Sequence, residues 1–194
     1  MDRHSALVGL LGNWVEPASF QQSADGFTRW LAAVGVRHTN PRIELIVPPN
    51  DTRHLWERAR MPDLFPDQHK WPRLGAVELV IDHIRRWTKQ PVIHRYGFRP
   101  ASFNDLVGGA PDSDHVHACG VDLVFRSNSQ RLAFMRRLQD HWAVKHFHLS
   151  LGSSPKGEPS RRLHVGVMAP HTMGGGRQRM WKYVDGRAVA GDIW

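Results

Sequence analysis

The residues best equipped for chemistry in this 194-residue chain are Ser113-Asp-His115, Asp122 seven positions after that histidine, and His164. A neutral imidazole and a carboxylate are both good zinc ligands. A sharp, glycine-assisted bend between His115 and Asp122 would bring their side chains to one ion. The third ligand has to come from elsewhere, and His164, centred in Leu163-His-Val-Gly-Val, is the best-placed histidine. Three protein ligands with a fourth position open describe a catalytic zinc site, at which water becomes a nucleophile near neutral pH. Each residue also has a plainer reading. His115 is one of 13 histidines, Asp122 could cap a turn, and His164 could be a core histidine with its hydrogen bonds met.

The elements that must hold these residues are legible from Leu74 onward. Leu74, Val77, Ile81 and Ile84 recur at helical spacing. Val80 and Trp87 widen that apolar stripe, and Glu78, Asp82, Arg85 and Arg86 lie opposite. Pro91 ends the helix and Val92–Tyr96 (VIHRY) reads as a strand. Gly97–Pro111 reads as a long loop, and Val116–Phe125 as a strand interrupted by Gly120. Asn128–His141 is a second amphipathic helix, with Leu132, Met135 and Leu138 inward and Arg131, Arg136 and Arg137 mostly outward. Lys145–Leu151 alternates as a strand and returns through a polar loop, Gly152–Ser160, into Arg162–Met168, an antiparallel hairpin. Trp181–Val184 and Arg187–Val189 flank an Asp185-Gly186 turn as a second hairpin. Before Leu74, Gly26–Val36 reads as a short helix, Arg42–Val47 as a strand, and Pro62, Pro66 and Pro72 punctuate a loop-rich stretch. The predicted fold is α+β, a small, mainly antiparallel sheet packed by helices.

With its surroundings, the central stretch resembles the zinc D-Ala-D-Ala carboxypeptidase family, which includes vancomycin-resistance dipeptidases, phage endolysins and the Hedgehog fold. The resemblance is carried by Gly97-Phe98-Arg99-Pro100, Val107-Gly-Gly-Ala-Pro-Asp-Ser113-Asp-His115, Asp122 and Leu163-His164-Val165. It spans roughly Leu74–Met168. It implies a Hedgehog/DD-peptidase-like fold and Zn2+ on His115, Asp122 and His164. It also implies that Arg99 grips a substrate carbonyl or carboxylate and that Ser113 hydrogen-bonds near the metal. His117 and Cys119 match no ligand of the family. The family's glycine after the first histidine is Ala118 here. Its catalytic acid or second histidine, expected just before the last ligand, is replaced by Arg161 and Arg162, neither of which can act as a base. His146 and His148 alternate on the preceding strand and share one face. If that face also bears His164, His148 supplies the missing proton transfer. A solvent-facing pair is the equal alternative.

Boundaries follow from this reading: residues 1–70 as an N-terminal extension on or before the core, 71–170 as the peptidase-like core, and 171–194 as a C-terminal hairpin extension of the same domain. The resemblance implies a peptidoglycan peptidase, a carboxypeptidase or endopeptidase of the lysin kind. A peptidase-fold module without catalysis is the first rival. The formal charge of +8 favours anionic polymers generally and is the sole support for nucleic-acid binding, the second rival. One cysteine excludes an intramolecular disulfide. The N-terminal apolar stretch Ala6–Leu11 is too short for a membrane span, and it lacks the basic start and small-residue cleavage site of a signal peptide. The expectation is synthesis in the cytoplasm and release to the cell wall by another agent.

Overall fold

Helical spacing and strand alternation produce ten elements among the described residues. The computed structural model describes residues 24–33, 35–36, 54–55, 57, 66, 70–89, 91–140, 149–153, 161–166, 180–184 and 187–191. The helices are α1 (Ala24–Ala33), α2 (Trp71–Thr88), α3 (Ala101–Leu106) and α4 (Asn128–Asp140). The strands are β1 (Ile93–Tyr96), β2 (Gly120–Val124), β3 (Ser150–Ser153), β4 (Arg162–Gly166), β5 (Met180–Val184) and β6 (Arg187–Ala190). They form one sheet in the order β1-β2-β4-β3-β5-β6. All neighbours are antiparallel except β3 and β5, which run parallel. The fold is therefore α+β; β3 pairs antiparallel with β4 as expected but runs on through Gly152 and Ser153, read above as loop, and β5 pairs antiparallel with β6. The readings at Arg42–Val47, His141, Lys145–His148 (with His146 and His148), Val167–Met168 and the Asp185-Gly186 turn fall outside the described residues.

Helix α2 is the centre of the core. It starts earlier than the apolar spacing predicts, with Pro72 in its first turn, where a missing N–H costs nothing. Leu74, Val77, Val80, Ile81 and Ile84 are buried as expected. Glu78 and Asp82, assigned above to the solvent face, are buried too, and Trp87, assigned to the stripe, is 46% exposed. The cause is that α1, α4 and β2 all pack on this helix, so one buried stripe is too few. Burial of carboxylates demands partners. Asp82 meets Arg85 at 3.0 Å and Arg86 at 2.7 Å, and Glu78 lies 3.3 Å from His94 on β1. Arg86 also donates to Gly35 O at the end of α1, at 2.9 Å.

On α4, Met135 and Leu138 are buried and Leu132 is half-buried. Arg131, expected outside, is fully buried. Its guanidinium donates to Ser153 Oγ on β3 and to Asn128 Oδ1. Arg137 donates to Thr88 O at the end of α2 at 2.9 Å, so a helix terminus that burial would strand is satisfied from the neighbouring helix.

Helix α1 lies against α2 through Phe27 and Trp30, with the Phe27 and Trp71 ring centroids 4.9 Å apart. The contact depends on Gly75: a Cβ there would meet two Trp30 ring atoms at 2.6 Å. Gly75→Ala gains about 1 kcal/mol of helix propensity, but overpacking a rigid indole costs up to roughly 3 kcal/mol. The variant should unfold at lower urea concentration than the parent with an unchanged m-value. A higher midpoint would show that the helices part without cost.

Candidate metal centre

Strand register brings the first two ligand candidates together. In the antiparallel pair β2–β4, Asp122 lies directly opposite His164, so both side chains leave the same face of the sheet as neighbours. His164 Nδ1 is 2.9 Å from Asp122 Oδ1. On the other flank of Asp122, β1 places Tyr96 opposite it.

His115 arrives from the turns that precede β2. The stretch expected as loop contains α3, followed by Gly108 at φ +73°, which ends the helix. Gly109 lies so close to Asn104 that a Cβ would fall 2.1 Å from its Oδ1. Asn104 in turn donates to Ala110 O at 2.7 Å. Ser113 Oγ accepts the His115 amide at 3.3 Å, a backbone cap that fixes the entry of this turn. Arg99 N donates to His115 O at 3.1 Å, tying the Gly97–Pro100 turn to the same residue. Ala118, where the resembled family has glycine, keeps the left-handed conformation at φ +56° and is fully buried. The bend survives without glycine, at the steric cost of a Cβ in that region.

The result is a group of three donors, His115, Asp122 and His164, whose ligand atoms all lie within 4.8 Å of one another. His115 Nε2 is 3.3 Å from Asp122 Oδ1. Its other nitrogen, Nδ1, donates to Gly97 O at 2.7 Å, which leaves the Nε2 lone pair directed at the group. The two imidazoles meet edge to face with centroids 4.8 Å apart. Burial lowers the His115 pKa, against the pull of the Asp122 charge and with the help of Arg99. Burial alone would raise Asp122, but the two histidines hold its carboxyl well below the usual range. Burial also disfavours charge on His164, yet hydrogen bonds that its ring donates to Asp114 and Asp122, with the pull of both carboxylates, lift it to about 9.

The remaining expected residues surround this group. Arg99 is half-buried, its guanidinium 5.1 Å from the Tyr96 ring centroid, and Tyr96 stands edge-on to His115 at 6.4 Å. Arg161 is exposed and donates to Arg126 O at 3.3 Å, and Arg162 is exposed at the start of β4. Two residues at the site were missed by sequence reasoning. Asp114 is buried and its Oδ2 lies 3.1 Å from His164 Nε2. Trp181 on β5 lies over His164 with ring centroids 5.0 Å apart, admitted by Gly152 beneath the indole.

Fold and site together define a small α+β protein with a His-Asp-His group able to hold a metal ion. A family model described as Peptidase M15 matches residues 67–147. The matched segment carries His115 and Asp122. His164 lies beyond it and joins the group through the β2–β4 register. None of the curated proteins matches the chain. Among the described residues, no helix is long and apolar enough to cross a membrane.

Proposed function

We propose that the chain is a zinc metallopeptidase that hydrolyses peptide bonds in bacterial peptidoglycan, with His115, Asp122 and His164 as the zinc ligands. The observation that carries this reading is the convergence of two imidazoles and a carboxylate, from a turn and two paired strands, with the second nitrogen of His115 hydrogen-bonded away from the group. That donor set and that outer hydrogen bond suit zinc. Zinc, when bound, supplies Lewis acidity that acidifies water and polarises a scissile carbonyl. The Hedgehog/DD-peptidase resemblance and the M15 match support a peptidase acting on cell-wall peptides; on this reading it cuts as a carboxypeptidase or an endopeptidase and is released to the wall in the manner of a phage lysin.

The chain's own residues do the rest. Arg99 holds a substrate carbonyl or carboxylate, as its place beside His115 and Tyr96 allows, and Ser113 secures the turn that carries His115. Proton transfer falls to His148. The support is in the sequence: His146 and His148 alternate just before β3, and the positions before His164 hold Arg161 and Arg162 instead of an acid or histidine. A zinc-binding module without catalysis is the second reading, favoured by Arg161 and Arg162 at the positions where an acid or histidine is expected.

Arg99 separates the two. A guanidinium grips an oxygen pair with two hydrogen bonds, which an ammonium cannot reproduce. Arg99→Lys should keep the zinc and the fold while lowering kcat/KM on cell-wall peptides at least about tenfold, equivalent to about 1.4 kcal/mol of transition-state stabilisation. Unchanged kinetics would remove Arg99 from the substrate site.

A further inference from the structure

We propose that Asp114 is the positioning residue of this centre, fixing the His164 ring so that Nδ1 is the atom offered to the metal. The inference rests on His164 being a ligand. An imidazole bound through one nitrogen needs its other N–H held, or the ring turns and the tautomers mix. His115 meets that need with a backbone carbonyl, Gly97 O. His164 meets it with a carboxylate: Nε2 donates to Asp114 Oδ2 at 3.1 Å, while Nδ1 faces Asp122 Oδ1 at 2.9 Å. The Asp114 side chain is 1% exposed. A carboxyl group this deep is costly to bury without a partner, and here it lies against the back of a ligand candidate.

The sheet is built to make room for this contact. Gly120 on β2 and Gly166 on β4 are direct partners across the strand pair. A Cβ on Gly120 would lie 2.6 Å from Asp114 Cβ and 2.7 Å from His164 Cε1. A Cβ on Gly166 would lie 2.3 Å from Asp114 Oδ2. Two facing glycines thus leave the hollow in which the carboxylate and the imidazole meet. The turn holds Asp114 in place through its backbone, since Asp114 O accepts Cys119 N at 2.9 Å. A ring held on its far nitrogen presents Nδ1 in one tautomer, so the loss of Asp114 should weaken metal binding even where the fold is kept.

The test uses the full chain stripped of metal, as parent, Asp114→Asn, Asp114→Ala and Gly166→Ala. Zinc affinity is measured by competition with a chromophoric chelator, the cobalt(II) absorption spectrum is recorded, and thermal unfolding of the metal-free forms is compared. Asp114→Asn keeps the side-chain volume and an oxygen acceptor, so the fold should remain. Its zinc affinity should fall roughly 10–100-fold, with single-site stoichiometry at saturation and an altered cobalt spectrum. Gly166→Ala should weaken zinc similarly, with Asp114 still present. If both Asp114 variants bind zinc as tightly as the parent and give its cobalt spectrum, Asp114 does not position His164, whatever happens to thermal stability. If the parent itself binds no zinc, the ligand reading falls and takes this role with it.

Discussion

Alanine at His115, Asp122 or His164 should each, alone, abolish stoichiometric zinc binding and bring peptide hydrolysis to background. The effect is large because the three donors come from only two strands and a turn, and no fourth histidine, cysteine or carboxylate joins the group among the described residues. Binding free energies of about 10–16 kcal/mol are shared across a full ligand set in structural zinc sites. Losing one of three protein ligands should therefore lower affinity at least roughly a hundredfold. Asp122→Ala carries a further penalty, since that carboxylate lies between both imidazoles and supplies the only negative charge in the donor set. Elemental analysis of the purified variants beside the parent decides the matter. Parent-level zinc in all three would contradict the ligand assignment.

His148→Gln should lower turnover by roughly two to four orders of magnitude while the zinc content stays at the parent value. Imidazole suits proton transfer near neutrality because its unperturbed pKa lies there. The positions just before His164 hold Arg161 and Arg162, both exposed, and a guanidinium stays protonated at any working pH. His146 has the same parity as His148 and serves as the paired variant. Full activity in both would place the base elsewhere, with Glu158 the next candidate.

The His115-Asp122-His164 group was legible because each member sat in a readable local frame: His115 after a Gly-Gly turn, Asp122 and His164 in short alternating strands. What the spacing could not supply is the register that sets Asp122 opposite His164, which is a long-range fact. Asp114 was hidden for the same reason. In the chain it is a polar residue between a serine and a histidine, and its partner is a ring 50 residues later. Two isolated glycines, Gly120 and Gly166, were the available signal, each marking a close approach within a strand. Helix α2 misled in the opposite way. Its charged residues read as solvent-facing, yet a helix packed on by three elements buries Glu78 and Asp82 and provides their partners. Arg131 was misread likewise, since its partner Ser153 lies on β3. Helix α3 escaped notice because six residues in a Gly- and Pro-rich stretch give too little periodicity to read.

The central claim, a zinc-dependent peptidase of the cell wall, is tested most directly by digesting purified peptidoglycan and counting newly freed amino groups and released D-alanine. The zinc-loaded protein should generate one or the other, lose that activity when the metal is chelated, and regain it when zinc is restored. Release of D-alanine would mark a carboxypeptidase, and new amino groups without it an endopeptidase. A zinc-loaded protein that frees neither from several wall types would contradict the account and leave a metal-binding module in its place.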